Sequence, residues 1–254
     1  MLNKILLIFW FILRPKYYQH FFSLIKRKFL FDHDTVNNRK KALKWAVLNT
    51  ITYSDALKKL NINGSIVGLD NQTILEGEKL QAKSSVKMGG SGHIDLLYDC
   101  VRLLKAKNVL ETGVAYGWSS LAILKALSQN SSGRLFSIDM PYPRKQNESD
   151  VGIVVPQNLK KNWILIRRPD NPGINVALKQ AGGKIDLCHY DSDKSWWGRH
   201  YAYPILWKSL NNNGLFISDD IQDNLYFSEF VEKNSLNFAV VEFKGKYIGL
   251  IRKI

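Results

Sequence analysis

The chain alternates between short apolar runs and longer segments with apolar residues at helical spacing. The runs predict strands at 108–112, 134–139, 163–166, 185–191 and 214–220. The longer segments predict helices at 93–105, 119–127, 151–161, 174–180, 196–210 and 225–233, with a polar loop at 141–150. Two final runs, 238–243 and 247–251, flank Lys244-Gly245-Lys246 and predict a hairpin.

Strands that alternate with helices form a parallel sheet, because each helix carries the chain back to the edge where the next strand begins. The predicted fold class is therefore α/β, with a Rossmann-like, doubly wound, mostly parallel seven-stranded sheet and a C-terminal antiparallel hairpin. In such a sheet a ligand binds beyond the carboxyl ends of the strands, next to the first strand.

The first 80 residues have a different pattern. A helix is predicted at 39–60, and residues 61–92 are rich in Gly and Asn, which is typical of a linker. We therefore divide the chain into a basic, aromatic, helical N-terminal extension with its linker, residues 1–80, and an α/β domain, residues 81–254.

The N-terminal extension carries much of the positive charge. The formal net charge is +14, and residues 1–44 hold ten Lys and Arg against two Asp. The apolar run 5–13 is about 14 Å long as a helix, too short to cross the roughly 30 Å core of a bilayer. Aromatic residues beside basic ones, as at 17–28, are typical of a segment that lies on an anionic membrane. Packing on the domain or on a second copy of the chain is the alternative.

Composition narrows the class of protein. A hydrophobic content of 45% predicts a folded globular chain. The two cysteines, Cys100 and Cys188, have neither the spacing of a metal site nor enough partners for a disulfide framework. We therefore expect a cytoplasmic protein, with the inner face of the membrane as the place of the N-terminal extension.

A glycine-containing turn links the first predicted strand to its helix. Its spacing is Glu-x-Gly-x-x-x-Gly, from Glu111 through Gly113 to Gly117, and differs from the G-x-G-x-x-G of dinucleotide enzymes. Glycine lets the backbone approach a ligand closely, and the start of a helix offers free N–H groups. Asp139 ends the second predicted strand, where a carboxylate can accept both hydroxyls of a ribose.

These features resemble motif I of the class I S-adenosylmethionine-dependent methyltransferases. The resemblance implies S-adenosylmethionine as the cofactor and methyl transfer as the activity. It also implies a set of cofactor-binding residues: Glu111, Thr112, Gly113, Tyr116, Gly117, Ser119, Asp139, Met140 and Asp191.

Four carboxylates follow two further strands. Asp191 and Asp193 come after one strand, and Asp219 and Asp220 after the next. Like charges at such a short distance raise one another's pKa unless a cation holds them. A hard divalent cation such as Mg²⁺, bound by oxygen ligands, resolves the repulsion. Exposure to solvent or capping of the following helices is the alternative for some of these residues.

The patterns D-x-D-x-S and D-D-I at these strand ends resemble the metal-dependent O-methyltransferases of sugars and macrolides, over roughly residues 88–254. The resemblance implies metal binding by Asp191, Asp219 and Asp220, and a role for Asp193 as the general base. Lys194 stands where many of those enzymes have His, so it is a second candidate catalytic residue and leaves the identity of the base open.

Side chains in the helix that follows add two further candidates. His200 is a spare candidate for the base, although a structural role is the alternative. Trp196 and Trp197 suit stacking on a sugar or an aromatic ring, or belong to the core.

The sequence thus predicts an S-adenosylmethionine-dependent O-methyltransferase, assisted by a divalent metal, that acts on a hydroxyl of a glycan or small molecule. A nucleic-acid methyltransferase is one alternative because the chain is basic, but an acidic site repels phosphate. A non-catalytic, membrane-associated binding protein with the same fold is the other. Besides the acceptor, the expected partners are an anionic membrane surface, through residues 1–30, and a second copy of the chain.

Overall fold

The computed structural model describes residues 2–141, 143 and 148–254, with side chains from residue 6 onward. Helices precede the first strand: α1 (Leu2–Ile12), α2 (Tyr18–Arg27), α3 (Val36–Asn49), α4 (Tyr53–Lys59), α5 (Asn71–Gln81) and α6 (Ile94–Leu103). None of the helices in these described ranges is long and apolar enough to cross a bilayer.

Strands and helices then alternate. In chain order they are β1 (Asn108–Thr112), α7 (Trp118–Gln129), β2 (Arg134–Ile138), β3 (Trp163–Ile166), α8 (Asp170–Gln180), β4 (Ile185–Tyr190), α9 (Trp196–Ser209), β5 (Leu210–Ser218), α10 (Tyr226–Lys233), β6 (Phe238–Phe243) and β7 (Lys246–Arg252). The strands form one seven-stranded sheet in the order β3-β2-β1-β4-β5-β7-β6. Strands β1 to β5 are parallel, and β7 is antiparallel to both β5 and β6. The predicted fold class is confirmed.

A hydrophobic core lies on each face of the sheet. Successive strand residues point to opposite faces, so Val109 belongs to the core beneath α6 and α7, and Leu110 to the core beneath α8, α9 and α10. Leu57 and Leu60, from α4 and its end, are buried in the first of these cores. Residues before the predicted boundary at 80 therefore pack directly on the sheet, while the division into two parts stays a prediction.

The helix predicted at 39–60 is two helices, α3 and α4. The chain between them is extended, because the N–H of Ile51 donates to the carbonyl of Val240 in β6 at 2.9 Å. Thr52 then starts α4, since its side chain accepts a hydrogen bond from the N–H of Asp55. A tertiary contact with the sheet thus interrupts a locally helical pattern.

Helix α5 lies inside the segment that the sequence predicts as linker. Asp70 starts it by accepting a hydrogen bond from the N–H of Thr73 at 2.8 Å. Gly77 weakens the helical signal, but the ring of Trp118 packs where a side chain at 77 would lie. The helix predicted at 151–161 is instead a series of turns that ends in a 3₁₀ helix, Lys160–Asn162. Residues 142 and 144–147 of the predicted polar loop lie outside the described residues.

Candidate active site

The carboxyl ends of the parallel strands surround a cavity of about 980 Å³. One side, here called the glycine-loop half, is lined by Gly113, Val114, Ala115, Tyr116, Ser119, Asp139 and Met140. The other side, the acidic half, is lined by Asp191, Asp193, Lys194, Asp219 and Asp220. Because β1 pairs with both β2 and β4, the two halves lie side by side.

The turn after β1 depends on its glycines. Gly113 has a φ of +81°, and a Cβ there would lie 2.3 Å from the carbonyl oxygen of Asp191. Gly117, with a φ of +90°, precedes α7, and a Cβ there would lie 2.8 Å from the Cα of Gly152. A larger residue would push these backbone segments apart, so Gly113 lets the two halves of the cavity approach each other and Gly117 lets the turn approach Gly152.

Asp139, directly after β2, lies at the wall of the glycine-loop half. Its Oδ1 accepts a hydrogen bond from the N–H of Val114 at 3.0 Å, and its Oδ2 accepts one from Nη1 of Arg167. Burial raises the pKa of the Asp139 carboxyl, and Val114 and Arg167 counteract this only in part. The carboxylate is therefore held in one orientation at the edge of the cavity.

Glu111 lies beneath the turn. Its Oε2 accepts hydrogen bonds from Ser120 Oγ at 2.5 Å and from Ser137 Oγ at 2.7 Å. The Nδ1 of His189 is 3.7 Å from Glu111 Oε1, and its Nε2 is 3.4 Å from Asp219 Oδ1. Burial works to lower the pKa of His189, but the two carboxylates outweigh it and raise the pKa to about 10. The imidazole is therefore protonated at neutral pH.

A lysine ammonium group lies between carboxylates of the acidic half. Lys194 Nζ is 2.9 Å from Asp191 Oδ1 and contacts Asp220 Oδ2, while Lys246 Nζ is 3.1 Å from Asp220 Oδ1. Burial opposes the charge of Lys194, but the carboxylates outweigh it and raise the lysine pKa. Burial and the neighbouring Asp219 raise the pKa of Asp191 to about 6, against the effect of Lys194.

Both carboxylate oxygens of Asp193 have hydrogen-bond donors. Oδ2 accepts from Nη1 of Arg27 at 2.6 Å, and Oδ1 accepts from Ser195 Oγ at 2.7 Å. Burial by itself raises the pKa of Asp193, but Arg27 and Ser195 outweigh it and hold the pKa below its usual range. Asp193 is thus ionised and only weakly basic in this arrangement.

Helix α2 of the N-terminal extension forms a wall of the cavity. Its lining residues are His20, Ser23, Lys26 and Arg27. Gln19 Nε2 donates to Asn171 Oδ1 at 3.0 Å. Beyond α2, Asp34 Oδ1 accepts from the N–H of Trp196 at 3.0 Å and from Asn224 Nδ2 at 2.9 Å. Polar contacts around the cavity therefore fix the extension to the sheet.

The two tryptophans at the start of α9 have different surroundings. Trp196 stacks on His33 with 3.8 Å between ring centroids and on His200 with 4.8 Å. Its Nε1 donates to Glu229 Oε2 at 2.9 Å. Trp197 and His200 line the cavity. Of these two tryptophans, Trp197 is therefore the one that a ligand in the cavity reaches.

Residues 110–221 match the family model described as a methyltransferase domain. The matched stretch, 112 of the 254 residues, is therefore similar to a methyltransferase domain. Together with the fold, this match confirms the predicted class I S-adenosylmethionine-dependent methyltransferase. A comparison with curated proteins found no match.

Solved structures share the fold of this methyltransferase at low sequence identity. An O-methyltransferase from Bacillus cereus, in complex with SAH, is 15% identical with a TM-score of 0.57, and the match covers 82% of this chain and 100% of that chain. The O-methyltransferase TomG from Streptomyces achromogenes, involved in tomaymycin synthesis and in complex with SAM, is 15% identical with a TM-score of 0.59. The match covers 79% of this chain and 96% of that chain. The SAH-bound methyltransferase PaMTH1 from Podospora anserina is 14% identical with a TM-score of 0.56. The match covers 79% of this chain and 93% of that chain.

The cavity of the methyltransferase domain includes most of the predicted site residues. Gly113, Tyr116, Ser119, Asp139, Met140, Asp191, Asp193, Lys194, Asp219 and Asp220 line it. Glu111, Thr112 and Gly117 are not among the lining residues. Glu111 and Thr112 are fully buried and support the turn from below, and Gly117 shapes the start of α7. The assignment of individual roles stays a prediction.

The predicted metal ligands do not fit a divalent cation in this arrangement. Asp191 and Asp220 contact the Lys194 ammonium group, and Asp219 Oδ1 lies 3.4 Å from His189 Nε2. A divalent cation needs oxygen ligands that no other cation occupies. Within the described ranges, no group of three or more His, Cys, Asp or Glu is arranged to hold a metal ion. The expectation of Mg²⁺ is therefore not supported by the geometry.

Several residues of this site were missed in the sequence. Arg27 lies 166 residues from its partner Asp193, and nothing local marks it among the other basic residues of the extension. Arg167 follows β3 and reaches Asp139 only because β3 pairs with β2. His189 did carry a signal, since a polar residue inside an apolar strand must have a buried partner.

Proposed function

We propose that the chain is an O-methyltransferase that transfers the methyl group of S-adenosylmethionine to a hydroxyl of a glycan or small molecule. The observation that carries the proposal is that the glycine-loop half and the acidic half adjoin in one cavity. Two of the structural relatives, from Bacillus cereus and Streptomyces achromogenes, are described as O-methyltransferases, and both were solved with the cofactor or its product.

The glycine-loop half fits S-adenosylmethionine. Asp139 offers a largely buried carboxylate for the two ribose hydroxyls, and Met140 lies beside it for contact with the adenine. Tyr116 and Ser119 line the same side. When bound, the cofactor supplies a sulfonium methyl group that is already a reactive electrophile, so the protein mainly positions the two reactants.

The acidic half is the proposed acceptor site. Asp193 stays the proposed proton acceptor, because its low pKa keeps it ionised and therefore able to take the hydroxyl proton. Its low basicity limits this step, and the contact with Arg27 is the cause. Lys194 is protonated in this arrangement, so it acts as a hydrogen-bond donor and not as a base.

The experiment that tests the cofactor is calorimetric titration with S-adenosylmethionine. Asp139→Asn replaces a charged acceptor of two hydrogen bonds by a neutral amide, so we expect affinity to fall by roughly tenfold or more. Asp55→Asn, at the exposed start of α4, is the matched control and should bind like the wild type.

Two results would contradict this proposal. Absence of binding to the folded wild-type protein would exclude the S-adenosylmethionine-dependent activity altogether. Equal affinity of wild type and Asp139→Asn would remove Asp139 from the cofactor site. If cofactor binding is established, transfer of a labelled methyl group to glycan or small-molecule acceptors identifies the acceptor, and Asp193→Asn should lower kcat more than it raises KM.

For the N-terminal extension we propose contact with an anionic membrane, which would place the protein at the inner face of the membrane. The two sides of α2 support this. His20, Ser23 and Arg27 line the cavity, whereas Phe22 on another side of the helix is 62% exposed and Phe29, just beyond it, is 85% exposed. Exposed aromatic residues beside lysines favour the interface of an anionic bilayer.

A further inference from the structure

Lys194 occupies the point at which the ends of β4 and β5 meet. Its Nζ contacts Asp191 at the end of β4 and Asp220 at the end of β5. The Lys194 side chain is one-third exposed and lines the cavity, whereas the Asp220 side chain is 6% exposed. A cation attached to the chain therefore bridges carboxylates from two neighbouring strands.

Two further carboxylate oxygens of the acidic half also have basic neighbours. Lys246 contacts Asp220 from the edge of β7, at 3.1 Å. The Nε2 of His189 lies 3.4 Å from Asp219 Oδ1. Three carboxylates thus face two ammonium groups and an imidazole, all supplied by the chain. A free divalent ion entering this cluster would have to displace Lys194 against its attraction to two carboxylates.

We propose that the Lys194 ammonium group takes the place of a divalent cation, so that the acidic half neither needs nor binds one. Such an ammonium group balances the charge of the carboxylates and joins β4 to β5, as an ion with oxygen ligands would. It has three N–H donors, of which Asp220 accepts one, while Asp191 Oδ1 lies 2.9 Å from Nζ as an ion-pair partner. The third is left for an oxygen atom of a ligand in the cavity.

For the proposed methyl transfer, on which this part of the inference rests, Lys194 is a residue that positions the acceptor oxygen. A lysine fixed to the chain cannot be removed by chelation, so the activity would be insensitive to EDTA. The exclusion of a divalent cation by Lys194 does not depend on the proposed function, and it is tested without any substrate.

The test is direct titration of the purified full-length protein with Mn²⁺, followed by electron paramagnetic resonance of the free ion. The wild type is expected to bind no Mn²⁺ at this site. Lys194→Ala removes the cation that joins the two strand ends, so Asp191 loses its ammonium partner and Asp220 keeps its contact with Lys246. We expect this variant to gain one Mn²⁺ site of micromolar to submillimolar affinity, roughly the range of oxygen-ligand sites in proteins.

Two further variants locate the gained site. Asp191→Asn in the Lys194→Ala background should abolish it, because the carboxylate that Lys194 releases is then lost. Lys246→Ala is the matched control, since it also removes a lysine from Asp220 but leaves Lys194 between the two strand ends. It should bind no more Mn²⁺ than the wild type. Circular dichroism checks that each variant is folded, and Lys194→Ser replaces Lys194→Ala if the alanine variant is not.

The outcomes separate cleanly. Mn²⁺ binding by the wild type that Asp191→Asn removes would overturn the proposal, because the carboxylates would then hold a cation in spite of Lys194. A folded Lys194→Ala or Lys194→Ser variant that binds no Mn²⁺ would also overturn it, because Lys194 would not occupy a cation site. Absence of S-adenosylmethionine binding would contradict the proposed function and leave this result unaffected.

Discussion

At the scale of single residues, the site is governed by the partners that each carboxylate finds on folding. Asp193 has a lowered pKa because Arg27 and Ser195 outweigh its burial, whereas burial raises the pKa of Asp139 in spite of Arg167. Two carboxylates with the same chemistry thus acquire different acidities in the wall of one cavity. The acid–base character of such a site follows from these pairings and not from residue type.

Asp170 provides a test of this principle that does not depend on any ligand. It lies in the cavity wall, where Ser192 Oγ donates to its Oδ2 at 2.6 Å. Burial raises its pKa to about 6. Since this value exceeds that of an unfolded aspartate, about 3.9, the stability that Asp170 contributes is complete at low pH and is lost as the pH rises through about 6.

Asp170→Asn should therefore gain stability relative to the wild type as the pH rises. We expect the difference in free energy of unfolding to move in favour of the variant by about 2 kcal/mol between roughly pH 4 and pH 8. Urea unfolding at several pH values measures it. Asp186→Asn is the control of opposite sign, because hydrogen bonds from Asn108 and Asn211 outweigh burial and lower the pKa of Asp186. If the free energy of unfolding changes with pH in the same way in wild type and Asp170→Asn, the raised pKa of Asp170 is contradicted.

At the scale of elements, the N-terminal extension is part of the site and not an appendage to it. Helix α2 supplies Arg27 to the acidic half, and the segment after α2 supplies Asp34 to α9. The same extension contributes α4 to the core on one face of the sheet. An element that looks separate in the sequence thus completes the cavity.

We expect the attachment of the N-terminal extension to α9 to depend most strongly on Asp34. Asp34→Ala leaves the N–H of Trp196 without its acceptor and removes one of the two acceptors of the buried Asn224 amide, which keeps its hydrogen bond to the carbonyl of Lys194. Unsatisfied buried donors cost about 1–3 kcal/mol of stability, measurable by urea unfolding. Asp32→Ala is the matched control, because Asp32 accepts only an exposed hydrogen bond from the N–H of Asp34. Equal losses of stability in the two variants would contradict an attachment of the extension to α9 through Asp34.

At the scale of the whole molecule, charge and exposed apolar surface coincide. Residues 1–44 hold ten of the 36 Lys and Arg of the chain. The same region exposes Phe9, Leu13, Phe22, Phe29 and Phe31. Phe11 and Tyr17, in contrast, are buried against neighbouring parts of the extension. Positive charge beside exposed apolar residues favours contact with an anionic membrane surface. The cavity lies on the other side of α2, which His20, Ser23 and Arg27 form.

We expect the full-length protein to float with vesicles of phosphatidylglycerol and phosphatidylcholine, and less so at higher salt, because salt screens charge attraction. The double variant Phe22→Glu/Phe29→Glu should lose flotation. The control Val47→Glu/Leu48→Glu alters two residues of α3 that are also exposed, and it should float like the wild type. Absence of wild-type flotation, or equal flotation of all three proteins, would contradict membrane contact. A wild-type dimer that Phe22→Glu/Phe29→Glu dissociates would favour a second copy of the chain as the partner.

Much of the fold could be predicted from the sequence, because it follows from local patterns. Apolar periodicity predicted the strands β1 to β7 and the helices α6 to α10 within a few residues. The same alternation placed Gly113, Asp139, Asp191 and Asp219 at the ends of neighbouring strands. Period and turn chemistry act over a few residues, so a single chain displays them directly. Where a long-range contact overrides them, as at Ile51 with Val240 or at Gly77 with Trp118, the prediction was wrong.

The electrostatic character of the site was decided only by the tertiary structure. The sequence showed four carboxylates and suggested a divalent metal to balance them. In the folded protein, Lys194 and Lys246 balance Asp220, and Arg27 from the N-terminal extension balances Asp193. Which of the 36 basic residues meets which of the 22 acidic ones depends on folding, because charge pairing requires contact within a few ångströms and the partners lie up to 166 residues apart.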